Sequence, residues 1–213
     1  MKVLYIGGTG QISFDCVHES VRQGHEVWVF NRGHHNQGLP PSVNHLQGDI
    51  QDDECYRQIA DMQFDVICQF RVFTPEQMKR DIEFFADCVG QYIFISSASA
   101  YQKPLPHYLI TEEMPLSNPY AQYSQNKAEC EFLLQKQDRL PYTIVRPSHT
   151  SRSKITTAMG EGYIAAWRIL HDKPVVIPGD GTNLWVVTAA QDFAPPFVRL
   201  LGNQEAINQH FHL

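Results

Sequence analysis

Residues 2–13 read KVLYIGGTGQIS, and the fold follows from how this stretch changes character along its length. Val3, Leu4, Tyr5 and Ile6 form an apolar run of strand length and strand composition. The run breaks at Gly7-Gly8-Thr9-Gly10, and a helical spacing of Ile12, Cys16, Val17 and Val21 follows. A buried strand that turns through glycines into a helix makes an anion site. Amide groups at the helix start point outward, and glycine lets a diphosphate approach without meeting a Cβ. An ordinary strand-to-helix turn has the same outline, so the rest of the chain must decide.

Downstream, strands and helices alternate. Strands are expected at residues 25–30, 43–46, 64–68, 92–95 and 142–145. Helices are expected at 54–62 behind an Asp52-Asp53 cap, from Pro75 to about Cys88 behind Thr74, and at 121–137. That rhythm predicts an α/β fold: a doubly wound parallel sheet of Rossmann type, covered by helices on both faces. Beyond Pro147 the rhythm loosens. A helix is expected near residues 157–170, short strands at 175–177 and 184–187, and a helix at 191–201; Phe211-His212-Leu213 reads as an apolar scrap. The expected organisation is a dinucleotide-binding domain over 1–147 that carries the catalytic residues. Residues 148–213 would form a partial substrate-binding region integrated with it.

Composition narrows the function. The 213 residues are 43% hydrophobic and 19% charged, with a net charge of −6, so the chain is globular and has no basic footprint for nucleic acid. No apolar stretch is long enough to span a membrane, and no signal peptide is recognisable at the start. Five scattered cysteines with no C-x-x-C pair suit buried thiols in a reducing compartment, and the cytoplasm is the expected location. The histidines lack metal-ligand spacing, so no metal is assigned.

A second motif, Tyr123-Ser124-Gln125-Asn126-Lys127, puts a phenol and an ammonium on one face of a helix. A nearby positive charge lowers a tyrosine pKa and equips the phenol for acid–base work at a carbinol carbon. The order of motifs is strand, GGTG, helix, then YIFISSASAY ending in Ser96-Ser97, then NPYAQYSQNKAE. With GDI at residues 48–50 and IVRPS at 144–148, this resembles the extended short-chain dehydrogenase/reductases, specifically the NAD-dependent epimerase/dehydratase family. The resemblance covers essentially the whole chain.

The resemblance implies that Tyr123 is the catalytic acid/base, that Lys127 lowers its pKa and binds the nicotinamide ribose, and that Ser97 hydrogen-bonds the reacting oxygen. It implies that Gly7, Gly10, Gln11 and Ile12 line the cofactor pyrophosphate, Asp49 and Ile50 the adenine, Phe70, Arg71 and Val72 the loop beneath, and Pro147 and Ser148 the nicotinamide. Ser96 is read otherwise as a strand-end cap and Asp49 as a turn former. The implied substrate is a small molecule, a sugar or a nucleotide sugar, at whose carbinol or keto group oxidoreduction or epimerisation would occur. A homodimer through the helices at 73–89 and 121–137 is a further expectation. The alternatives are a cofactor-binding protein with a regulatory or RNA-binding role, or a catalytically impaired short member.

Several positions depart from the family pattern. Ser13 replaces the third glycine of the turn. Asn31-Arg32 stands where an NAD enzyme carries an acid for the ribose; arginine can pair with a 2′-phosphate, so NADP is favoured over NAD. Ala98-Ser99 lacks the Asp-Glu pair of sugar dehydratases. Trp185 occupies the place of the arginine that holds a substrate pyrophosphate, shortly before Asp192-Phe193-Ala194. Arg71 is either a compensating positive charge in the cleft or a solvated side chain. Family members normally continue past a segment like 206–213, so a truncated or naturally short substrate lobe is expected.

Overall fold

The computed structural model describes residues 1–157 and 160–213. Its centre is a seven-stranded, wholly parallel sheet built from β1 (Lys2–Ile6), β2 (Glu26–Asn31), β3 (Asn44–Gln47), β4 (Val66–Gln69), β5 (Gln91–Ile95), β6 (Tyr142–Arg146) and a late strand, Gln209–His212. Ordered across the sheet, the late strand leads, then β6, β5, β4, β1, β2 and β3. The order reverses between β4 and β1, which opens a crevice at the carboxyl ends of these two strands.

The strands read as continuous apolar runs because both faces are covered. Within β1, Val3 and Tyr5 point into one core with Cys16, Val17, Phe193 and Phe197, while Leu4 and Ile6 point into the other with Tyr56, Met78, Phe85 and Leu134. The first face is covered by α1 (Ser13–Arg22) and the second by α2 (Asp53–Asp61), α3 (Pro75–Phe85) and α4 (Gln122–Lys136). Helix starts follow local chemistry. Asp52 accepts from the Glu54 amide at 2.9 Å. Thr74 and Gln77 form a reciprocal capping box ahead of Pro75.

The last third differs most from expectation. In place of one helix at 157–170 there is a hairpin of β8 (Ile155–Thr157) and β9 (Gly160–Gly162), followed by a short α5 (Ile164–Leu170). Gly160 and Gly162 both have positive φ, which a helix does not allow. Residues 158 and 159 of that expected helix lie outside the described residues. Residues 175–177 form no strand, and of the strand expected at 184–187 only Val187 lies in one, β10 (Val187–Ala189), paired with β7 (His149–Ser151). Helix α6 (Ala190–Val198) packs on the α1 face through Phe193 and Phe197. The terminal scrap is in fact β11 (Gln209–His212), the edge strand of the main sheet, with Phe211 opposite Val145. Among the described residues no helix is long and apolar enough to cross a membrane.

Candidate active site

The crevice is a cleft of about 1350 Å³ that starts at the glycine turn and ends at Tyr123. Gly7 has φ +86°, and its amide donates to the Phe30 carbonyl at 3.0 Å, which ties the turn to β2. Ser13, the replacement for a third glycine, does more than pack. Its hydroxyl accepts from the Gly10 amide at 2.9 Å and donates to the Gly7 carbonyl at 2.7 Å. The turn is thereby knitted shut from inside. A Cβ built on Gly10 would meet only Ser13 Oγ at 3.2 Å and the Gly7 carbonyl at 3.9 Å, so a ligand can approach that backbone closely.

At the far end of the turn, Asn31, Arg32, Asp49 and Ile50 line the cleft. Asn31 is largely committed to the loop: its Oδ1 accepts from the Gly33 amide and its Nδ2 donates to Asn36 Oδ1, each at 2.7 Å. Asp49 Oδ1 accepts from the Gln51 amide at 2.9 Å, the turn-forming role, while still facing the cleft. Arg32 is exposed and has no ion pair among the described residues.

At the other end stand Ser97, Tyr123 and Lys127. Tyr123 is 46% exposed, against 2% for Lys127 one helical turn later. The Lys127 ammonium donates to the carbonyls of Val72 at 2.6 Å and Ile95 at 2.7 Å, and lies 5.7 Å from the Tyr123 ring centre. Burial, offset in part by Cys130 and Glu131 and reinforced by Arg71, holds its pKa at about 7. Val72 takes part through its backbone. Its side chain is buried in the core and does not line the main cleft; its carbonyl anchors Lys127. Ser96 is likewise more than a strand-end cap: its hydroxyl donates to Glu131, which is buried in an ion pair with Arg146. Gln11, Ile12, Phe70, Arg71, Pro147 and Ser148 all face the cleft.

Sequence reasoning missed three features. Ser124 Oγ donates to Ser99 Oγ at 3.0 Å, and Ser99 Oγ lies 2.8 Å from Ser97 Oγ, a chain of hydroxyls invisible in three ordinary serines. Phe73 packs near Lys127 and Tyr123, its ring centre 4.9 Å from Lys127 Nζ and 6.5 Å from that of Tyr123. Trp185 packs on His149, with ring centres 4.8 Å apart, and both line the cleft. Among the described residues no group of three metal-ligating side chains occurs.

The donor set and shape fit a dinucleotide: an open glycine turn at a helix start, cations along the floor, and hydroxyl donors at one end. Among the described residues Arg32, Arg71, Lys103 and Lys127 line the cleft against one carboxylate, Asp49, in a chain of net charge −6.

Comparison with known proteins agrees with the fold. A UDP-glucose 4-epimerase of Lactobacillus helveticus is 29% identical over 207 residues, covering 85% of this chain and 62% of that protein. The chloroplast stem-loop binding protein of 41 kDa b of Arabidopsis thaliana is 26% identical, covering all of this chain and 58% of its own length. The chain thus spans less than two thirds of these curated relatives. Among solved structures, the epimerase Mth375 of Methanothermobacter thermautotrophicus superposes with a TM-score of 0.81 at 18% identity, over 99% of this chain and 70% of that one. A family model, NAD dependent epimerase/dehydratase, matches residues 3–213. The chain belongs to the NAD-dependent epimerase/dehydratase family.

Proposed function

We propose that the chain is an NAD(P)-dependent, sugar-modifying oxidoreductase or epimerase whose substrate is a sugar or nucleotide sugar. The observation that carries this reading is that one cleft begins at the glycine turn and ends between Ser97 and Tyr123, with Lys127 buried behind. The similarity to a UDP-glucose 4-epimerase supports the substrate class.

Gly10, Gln11 and Ile12 would hold the dinucleotide through the turn, Asp49 and Ile50 its adenine, and Pro147 and Ser148 its nicotinamide end. NAD(P), when bound, supplies an acceptor and donor of hydride at carbon. The chain's own residues handle the proton. Tyr123 takes it from the substrate carbinol, and an ammonium at Lys127 favours the resulting phenolate. Ser124 donates to Ser99, which lies 2.8 Å from Ser97; when Ser99 donates in turn to Ser97, the Ser97 proton is left to hydrogen-bond the reacting oxygen. Buried Lys127, its amine aimed by two carbonyls, would hold the ribose hydroxyls of the cofactor.

NADP is the favoured cofactor because Arg32 can pair with a 2′-phosphate. A homodimer through α3 and α4 is part of the same reading and fits the exposed Phe132 on α4. So is a reducing, cytoplasmic setting, which fits five free thiols. A second reading, binding of structured RNA, draws on the Arabidopsis relative and is opposed by the acidic balance; fluorescence anisotropy with an RNA stem-loop at moderate salt separates the two.

Tyr123→Phe tests the main reading. Turnover of UDP-glucose should fall by about 10²- to 10⁴-fold while NAD(P) affinity stays within a few-fold. Undiminished turnover would reject the role.

A further inference from the structure

Arg71 lies across the glycine turn. A Cβ built on Gly7 would come within 2.5 Å of Arg71 Cγ and 2.7 Å of its Cδ, so the aliphatic stem rests directly on the Gly7 backbone. The guanidinium carbon stands 5.1 Å from the Phe73 ring centre, inside the cleft. Among the described residues the guanidinium has no carboxylate partner.

Its mount is buried. The Arg71 amide donates to Gln69 Oε1 at 2.8 Å, and Gln69 Nε2 donates to Asp81 Oδ2 at 2.5 Å. The Tyr92 hydroxyl donates to the same oxygen at 2.7 Å, and Gln69, Asp81 and Tyr92 are all shielded from solvent. The backbone that carries the exposed cation is therefore fixed by a satisfied polar network. Ser13 meanwhile consumes the Gly10 amide, so the turn offers one backbone donor fewer to an anion.

We propose that Arg71 is the principal cationic hold on a diphosphate lying over residues 7–12, taking over from the amide that Ser13 has claimed. This rests on the dinucleotide reading above and adds the residue that grips the ligand's charge. A guanidinium matches phosphate oxygens in pairs and cannot lose its proton at working pH. Any ligand that carries an adenosine diphosphate unit qualifies, NAD, NADP and ADP-ribose alike.

The test is calorimetric titration of the full chain with NAD and with ADP-ribose, in wild type, Arg71→Met, Arg71→Lys and Arg22→Met. Arg71→Met keeps a stem over Gly7 and removes the charge. It should weaken both ligands by about 10- to 100-fold. Arg71→Lys should restore part of that loss. Arg22→Met, an exposed arginine at the end of α1 outside the cleft, should leave both ligands within about two-fold. Equal or tighter binding by Arg71→Met, with a melting temperature like wild type, would overturn the proposal, and tighter binding would mean that the side chain occludes the turn. Wild-type protein that binds neither ligand would remove the dinucleotide reading and this inference together.

Discussion

Raising the pH should stabilise the chain relative to Lys127→Met, with a slope set by one buried amine. Lys127 is held at about 7 against an ordinary lysine value of 10.5, chiefly by burial. Between those values the unfolded chain binds a proton that the folded chain has released, so folding is favoured as pH rises. Below about 7 both states carry the proton and the dependence vanishes. Within the window the two pH units from about pH 7.5 to about pH 9.5 are worth about 3 kcal/mol. Neutralisation breaks none of the recorded bonds, because an uncharged amine still has two N–H donors for its two acceptors, the Val72 and Ile95 carbonyls. Cys130 beside it is pushed up to about 12 and stays protonated across the window. Urea unfolding of wild type and Lys127→Met at several pH values isolates the effect, since groups that titrate alike in both proteins cancel. A stability difference that stays flat from about pH 6 to about pH 9.5 would show that the two carbonyls keep the ammonium charged, and would refute the reasoning.

Two other perturbations probe the frame and the specificity. Glu131→Gln leaves the Arg146 guanidinium, 3% exposed at the side chain, without its counter-charge; the unfolding free energy should drop by about 3–5 kcal/mol, and a drop under about 1 kcal/mol would deny that the pair is coupled. Arg32→Ala should weaken NADP by about tenfold and leave NAD within about two-fold, measured by direct titration; equal losses for both would place the arginine away from the 2′ position.

The parts of this fold that could be read from the chain are those set by local chemistry. An apolar run ending in glycines gave β1 and its turn, Asp52 and Thr74-Pro75 gave helix starts, and continuous apolar runs gave β5 and β6. β11 was hidden because Gln-His-Phe-His has neither an apolar run nor a clear alternation; it is a strand only because β6 offers it a free edge. Helix α4 hid the burial of Lys127 and Glu131, since charged residues on a helix read as solvated until their partners, Val72, Ile95 and Arg146, arrive from other strands and loops. The Ser97–Ser99–Ser124 chain and the seat of Arg71 on Gly7 are likewise products of long-range approach, with no signature in spacing.

A crystal structure with NAD bound tests the central claim most directly. The account predicts the diphosphate over residues 7–12 beneath Arg71, and the nicotinamide ring in the space between Ser97 and Tyr123. Density for the cofactor outside this cleft, or a nicotinamide that turns away from Tyr123, would contradict it.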